Sequence, residues 1–173
     1  MLHSMKLHAE MTVNGRFYAK GTEVPWTRVY PFFLLHMFVF GGSGFLMAYR
    51  GQPDVLFLYM HGGIAISIYV VFYVALFGAD EVKWMFINAA LGIAGIYSQV
   101  AWLLGRFGRN INDVPWHVHV IPFLYYVLYV FLIRHAFLDF FDAREDAVRR
   151  AKVEKAYVAV SLAICALFYL LDR

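Results

Sequence analysis

The sequence predicts an all-α integral membrane protein, an antiparallel bundle of four to five transmembrane helices with a short N-terminal cytoplasmic hairpin. Of its 173 residues, 62% are hydrophobic, whereas a soluble domain usually has 45–50%. These residues are gathered into blocks of about twenty, the length that crosses a bilayer as a helix. The blocks are joined by short polar connections, which place consecutive helices antiparallel.

Residues 1–27 form a polar N-terminal segment. They are too poor in apolar residues for a signal peptide, so we expect the first span to remain uncleaved. Within them, Met11–Val13 and Arg16–Tyr18 flank Asn14 and Gly15. Because this pair tolerates positive φ at both central turn positions, it favours a tight β-hairpin.

The four-span bundle is predicted to occupy residues 28–140. Its apolar blocks are Val29–Tyr49, Pro53–Phe77, Val82–Leu104 and Pro115–Phe140.

Two further segments follow the predicted bundle. Residues 141–155 are predicted to extend the fourth helix into the cytoplasm as a charged helix, because Glu145 and Arg149 form an i,i+4 pair with the acid first. Residues 156–173 hold a short fifth apolar helix, Ala156–Leu171, about 24 Å long at helical rise. That length is marginal for crossing a membrane.

The positions of the basic residues predict the orientation. With a cytoplasmic N-terminus, only Arg50, Arg106, Arg109 and Arg173 of the 15 Lys and Arg residues lie outside. The other eleven lie inside, which is a clear positive-inside bias. We therefore predict a multi-pass protein of the cell inner (cytoplasmic) membrane.

The histidines inside the spans are the candidates for chemistry, because ionisable groups in lipid are costly and need a reason. By depth, His36 and His135 lie in the cytoplasmic half of the bundle, and the others lie in the outer half. Two layers of paired histidines fit a membrane protein that binds haem b, since each iron takes two axial imidazoles. In this interpretation His36 and His135 bind the cofactor, and Arg134 pairs with a propionate.

A second interpretation is an outer metal site for zinc or copper. His117 and His119 are separated by one residue, so in an extended segment their side chains point the same way. Pro115 favours a non-helical approach to this pair, and His61 or Asp113 supplies a third ligand. The third interpretation, which we favour, is structural: the histidines bond to neighbouring groups and fix how the helices pack.

The remaining features favour a non-catalytic role. The sequence has no nucleophile elbow, HExxH motif or P-loop. The lone Cys165 excludes an internal disulfide, and a net charge of +3 without a basic patch gives no indication of nucleic acid binding. The leading hypothesis is a subunit or assembly factor of a larger membrane complex, whose partners are the lipid bilayer and other membrane subunits or a second copy. The alternatives are a haem- or metal-binding redox protein and a small oligomeric channel or transporter.

Overall fold

The computed structural model describes residues 4–13 and 15–171, without the side chains of residues 86–88. It is mostly helical, at 76%. Asn14, one of the two predicted turn residues, and Arg173 lie outside the described residues.

Four short strands precede the helices. They are β1 (Ser4–Lys6), β2 (Met11–Val13), β3 (Arg16–Tyr18) and β4 (Glu23–Pro25). β2 and β3 pair antiparallel with Met11 opposite Tyr18, which confirms the predicted hairpin as a small strand pair. β1 pairs antiparallel with β4, with Met5 opposite Val24. The described part of the N-terminal segment therefore contains two small strand pairs.

The helical part contains seven α-helices in the described residues, one π-helix and two 3₁₀ turns. The α-helices are α1 (Trp26–Tyr49), α2 (Val55–Phe77), α3 (Ala79–Lys83), α4 (Met85–Gly95), α5 (Ala101–Arg106), α6 (Val120–Phe140) and α7 (Ala147–Leu171). The π-helix is Ile96–Val100, and the 3₁₀ turns are Ile111–Asp113 and Trp116–His119.

Four of these helical segments are long and apolar enough to cross a membrane. They are α1, α2, Trp116–Phe140 and α7, of 23 to 25 residues each. They indicate a multi-pass membrane protein. The ends of α2 show how the sequence sets the bounds: the Asp54 carboxylate accepts a hydrogen bond from the Phe57 amide at 3.0 Å, and the helix stops at Gly78, whose φ is +89°.

The predicted third span differs from the structure. In place of one helix over Val82–Leu104, α4, the π-helix and α5 follow one another with 11, 5 and 6 residues. Together they are about 33 Å long at helical rise. The Ser98 hydroxyl donates to the Ala94 carbonyl at 2.7 Å, a side-chain bond that competes with the regular backbone pattern where the π-helix lies.

The structure of the charged stretch, residues 141–155, also differs from the predicted one. It does not extend α6, because α6 ends at Phe140 and Asp142 takes a positive φ of 51°. Asp146 then caps a new helix by accepting from the amides of Val148 and Arg149 at 2.9 and 3.0 Å. Residues 147–155 of the charged stretch therefore form the first turns of α7, and the fifth apolar segment belongs to a helix of 25 residues.

The centre of the bundle is filled by aromatic side chains. Tyr73, Phe77 and Phe131 are almost completely buried, and the rings of Tyr73 and Phe131 stack with centroids 5.4 Å apart. Tyr125 packs against the backbone of Gly41 and Gly44 on α1. Small residues on α1 thus allow close approach of α6, the usual arrangement in membrane bundles.

Candidate functional site

His135 lies in the aromatic core. It is 1% exposed, and its ring lies 4.3 Å from that of Phe77 and 4.4 Å from that of Phe131. Its Nδ1 is buried with no hydrogen-bond partner among the described residues. The other predicted haem ligand, His36, is half-buried on α1 and contacts Phe32 of its own helix. The structure therefore places these two histidines in different environments.

Arg134 is the centre of a group of charged residues at the same end of the bundle as Trp26. We call this group the Arg134 cluster; its members are Glu81, Arg134, His135, Arg150 and Glu154. Arg134 is 7% exposed; it contacts Glu154, and its Nη1 lies 3.3 Å from the Glu81 carboxylate and 3.3 Å from His135 Nε2. Arg150 bonds to the same two carboxylates at 2.8 and 3.0 Å.

The charges of the Arg134 cluster balance. Burial alone raises the pKa of Glu81, but the hydrogen bonds and charges of Arg150 and Arg134 outweigh it and lower that pKa. Two carboxylates thus neutralise two guanidinium groups while joining α3, α6 and α7. Arg134, predicted as a partner for a haem propionate, contacts Glu81 and Glu154, which the sequence did not indicate as site residues. The sequence did contain one signal for these partners: Arg134 lies within an apolar block, and an arginine in that position needs a partner.

A second ion pair lies beside this cluster. Arg144 donates to both oxygens of Asp139, at 2.6 and 2.8 Å, and the Tyr30 hydroxyl also bonds to Asp139. Burial acts to lower the pKa of Arg144, but Asp139 outweighs it and raises that pKa. This pair holds the turn between α6 and α7 against the start of α1.

The predicted outer metal residues lie at the other end. Trp116–His119 is a 3₁₀ helix, so the extended form considered for the metal site is not observed. Both ring nitrogens of His119 have protein partners: Nδ1 lies 2.8 Å from the Tyr49 hydroxyl and Nε2 3.2 Å from the Val114 carbonyl. Across residues 4–13 and 15–171, the structure forms no group of three or more His, Cys, Asp or Glu that could hold a metal ion. His117 and Asp113 therefore join no such group.

His61 instead shares a groove with His36. This α1–α2 groove has a volume of about 710 Å³ and runs between α1, α2 and the N-terminal strands. Its walls are mostly apolar, and its polar lining residues are Tyr18, Glu23, Arg28, His36, His61 and Tyr69. Among the described residues, Arg28 has no hydrogen-bond or ion-pair partner.

The hydrogen bonds of the two groove histidines fix their tautomers. A carbonyl oxygen only accepts, so His36 Nδ1–H donates to the Phe32 carbonyl, 2.8 Å away. The Ser43 hydroxyl donates its one hydrogen to the Phe40 carbonyl; its oxygen therefore accepts from His61 Nε2–H at 3.2 Å. In the neutral rings, His36 Nε2 and His61 Nδ1 are both left as acceptors.

Comparison with known proteins identifies no family for this chain. No family model, curated protein or solved structure matches the chain.

Proposed function

We propose that this protein is a non-catalytic integral subunit or assembly factor of a larger complex in the cell inner membrane, with its N-terminus in the cytoplasm. The four apolar helices support a multi-pass protein. The positive-inside distribution of Lys and Arg supports the orientation.

The observation that carries the proposal is the pair of unsatisfied acceptors in the α1–α2 groove. In the proposed membrane placement, His36 and His61 would each present one lone pair that no described residue satisfies, at a depth where water is scarce. An acyl chain has no hydrogen to donate, so lipid alone leaves the cost of these acceptors uncompensated. A transmembrane helix from a partner supplies donors through hydroxyl or amide side chains, which bond between helices in membranes.

The spacing of the groove's polar groups describes that partner. Ser43, which bonds to His61, lies seven residues after His36, so the two acceptors are about 10 Å apart along α1. A facing helix with two donor side chains seven residues apart matches this distance. Arg28 lies eight residues before His36, about 12 Å along the axis, and would pair with an acidic residue at the cytoplasmic end of the partner.

The charged residues support a role without catalysis. In the Arg134 cluster and in the Arg144–Asp139 pair, carboxylates and guanidinium groups neutralise one another. Such pairing fixes helix positions and commits these carboxylates and guanidinium groups to one another.

The test is crosslinking in native membranes followed by quantitative isolation of the protein with its neighbours. We expect the double variant His36→Leu, His61→Leu to lose at least four-fifths of a stoichiometric membrane partner, because leucine accepts no hydrogen bond. His117→Leu makes the same chemical change outside the groove and should retain the partner. A wild-type protein that is a stable monomer and crosslinks to no other membrane protein contradicts the proposed function.

The haem- or metal-binding alternative is less well supported by this geometry. His135 is 1% exposed and packs against Phe77 and Phe131, whereas His36 lines the α1–α2 groove. At the predicted outer metal site, both ring nitrogens of His119 already have protein partners. A Soret band or stoichiometric zinc or copper in the purified protein would favour it. The channel alternative is less well supported because aromatic rings, including Tyr73 and Phe131, occupy the bundle centre; ion flux in liposomes would favour it.

A further inference from the structure

A separate cavity lies at the end of the bundle opposite Arg28. It has a volume of about 680 Å³ and lies between α7 and the helical run of α4, the π-helix and α5. We call it the outer slot. A volume of this size is within the range of small-molecule sites in proteins.

The wall of the outer slot on the α4–α5 run is made of small residues. Ala94, Ser98, Ala101 and Gly105 line it at spacings of four, three and four, which place them on one helix face. The Ser98 hydroxyl already donates to the Ala94 carbonyl at 2.7 Å, so this wall offers mainly apolar surface. It extends about 16 Å from Ala94 to Gly105 at helical rise.

The opposite wall is α7, which contributes Cys165, Ala166 and Tyr169. α7 contacts α4, the π-helix and α5, so the slot is a narrow space between helices that touch each other. A partner helix, about 10 Å across with its side chains, does not fit between them, whereas a single hydrocarbon chain does.

The mouth of the outer slot is polar and carries a positive charge. Arg109, Asn110 and Asn112 line it. Arg109 is anchored by a bond from Nη1 to the Tyr49 carbonyl, and no carboxylate of the described residues pairs with it. Its remaining donors and the side-chain amides of Asn110 and Asn112 suit the oxygens of an anion, which arginine binds as a planar fork.

We propose that the outer slot binds one acyl chain of an anionic lipid, with the chain along the small-residue wall and the charged headgroup at Arg109. Charge and shape both support this occupant: a cation without a carboxylate partner stands at the mouth, and a narrow apolar space lies behind it. The site is independent of the α1–α2 groove and of the proposed partner.

The test is native mass spectrometry of the delipidated full-length protein, titrated with phosphatidylglycerol and, separately, with phosphatidylcholine of the same chains. We expect one phosphatidylglycerol to bind at least tenfold more tightly than later ones and than the first phosphatidylcholine. Arg109→Gln should weaken this first binding about tenfold, to the phosphatidylcholine level. Arg106→Gln is the matched control, because Arg106 lies on the same run outside the slot, over the Trp102 ring, and should leave it unchanged.

A second arm tests the chain. Ala101→Leu and Ala166→Leu fill the slot from opposite walls, and each should abolish the first tight site for phosphatidylglycerol. Glycerol phosphate, which has the charge without a chain, should bind at least a hundredfold more weakly. Tight binding of glycerol phosphate, equal effects of the two arginine substitutions, or the absence of a preferred first phosphatidylglycerol would each overturn the proposal.

Discussion

Replacing Arg134 by methionine should strongly destabilise the bundle. The arginine side chain is 9% exposed, and the change removes its contacts with Glu81 and Glu154 while keeping an apolar stem. Breaking a buried pair costs about 3–5 kcal/mol. Both carboxylates keep Arg150, at 2.8 and 3.0 Å, and are 23% and 33% exposed. We therefore expect a loss of unfolding free energy at the lower end of this range, about 3 kcal/mol. This corresponds to a decrease of roughly a hundredfold in the folding equilibrium constant.

The assay is reversible unfolding by SDS in mixed micelles, followed by tryptophan fluorescence. Lys83→Met is the matched control, because Lys83 bonds to Asp80 at 2.7 Å but the two side chains are 75% and 95% exposed; its stability should not change measurably. A double-mutant cycle of Arg134→Met with Glu154→Gln should give a coupling of about 1 kcal/mol or more. A loss for Arg134→Met below about 0.5 kcal/mol, the usual scale of surface substitutions, would refute the reasoning.

Three further predictions follow from the described contacts. Gly62→Ala should lower the unfolding free energy by about 1–3 kcal/mol, because the new Cβ would collide with Ile121, whereas Gly63→Ala, with no atom within 4 Å, should be neutral; the same SDS titration measures both. Because arginines hold the pKa of Glu81 below its ordinary 4.5, the stability that Glu81 contributes should be fully present above pH 4.5 and be lost as pH decreases through the lowered pKa. Glu81→Gln should reduce this decrease of stability at acid pH. A topology reporter fused after Arg173 should be external, and a cytoplasmic signal would contradict the proposed orientation.

The sequence predicted the long helices well because a bilayer requires unbroken apolar blocks. The predicted first and second spans end at Tyr49 and Phe77, where α1 and α2 end. The same hydropathy could not show that residues 147–155 belong to α7, since the charge pairs are compatible with a helix joined to either neighbour. That assignment depends on Asp142 and its positive φ, a local backbone feature that hydropathy does not report.

The site was harder to predict because the depth of a residue along a helix does not show which side of the helix its side chain occupies. His36 and His135 were placed in one layer, but His135 points into the aromatic core and His36 lines the α1–α2 groove. Glu81 lies in the short connection between the predicted second and third spans. Its role depends on a contact with Arg134 across 53 positions of the chain, which no local pattern contains.

The docking of the N-terminal strands has a consequence for biogenesis. The His8 amide donates to the Ala75 carbonyl at 2.7 Å, near the end of α2, and Met5 and Leu7 are buried. During synthesis, residues 5–8 must therefore wait until two spans have been inserted before their final contacts exist. A chain stopped before Ala75 lacks this acceptor, so protection of the N-terminal residues from protease should appear only in longer nascent chains.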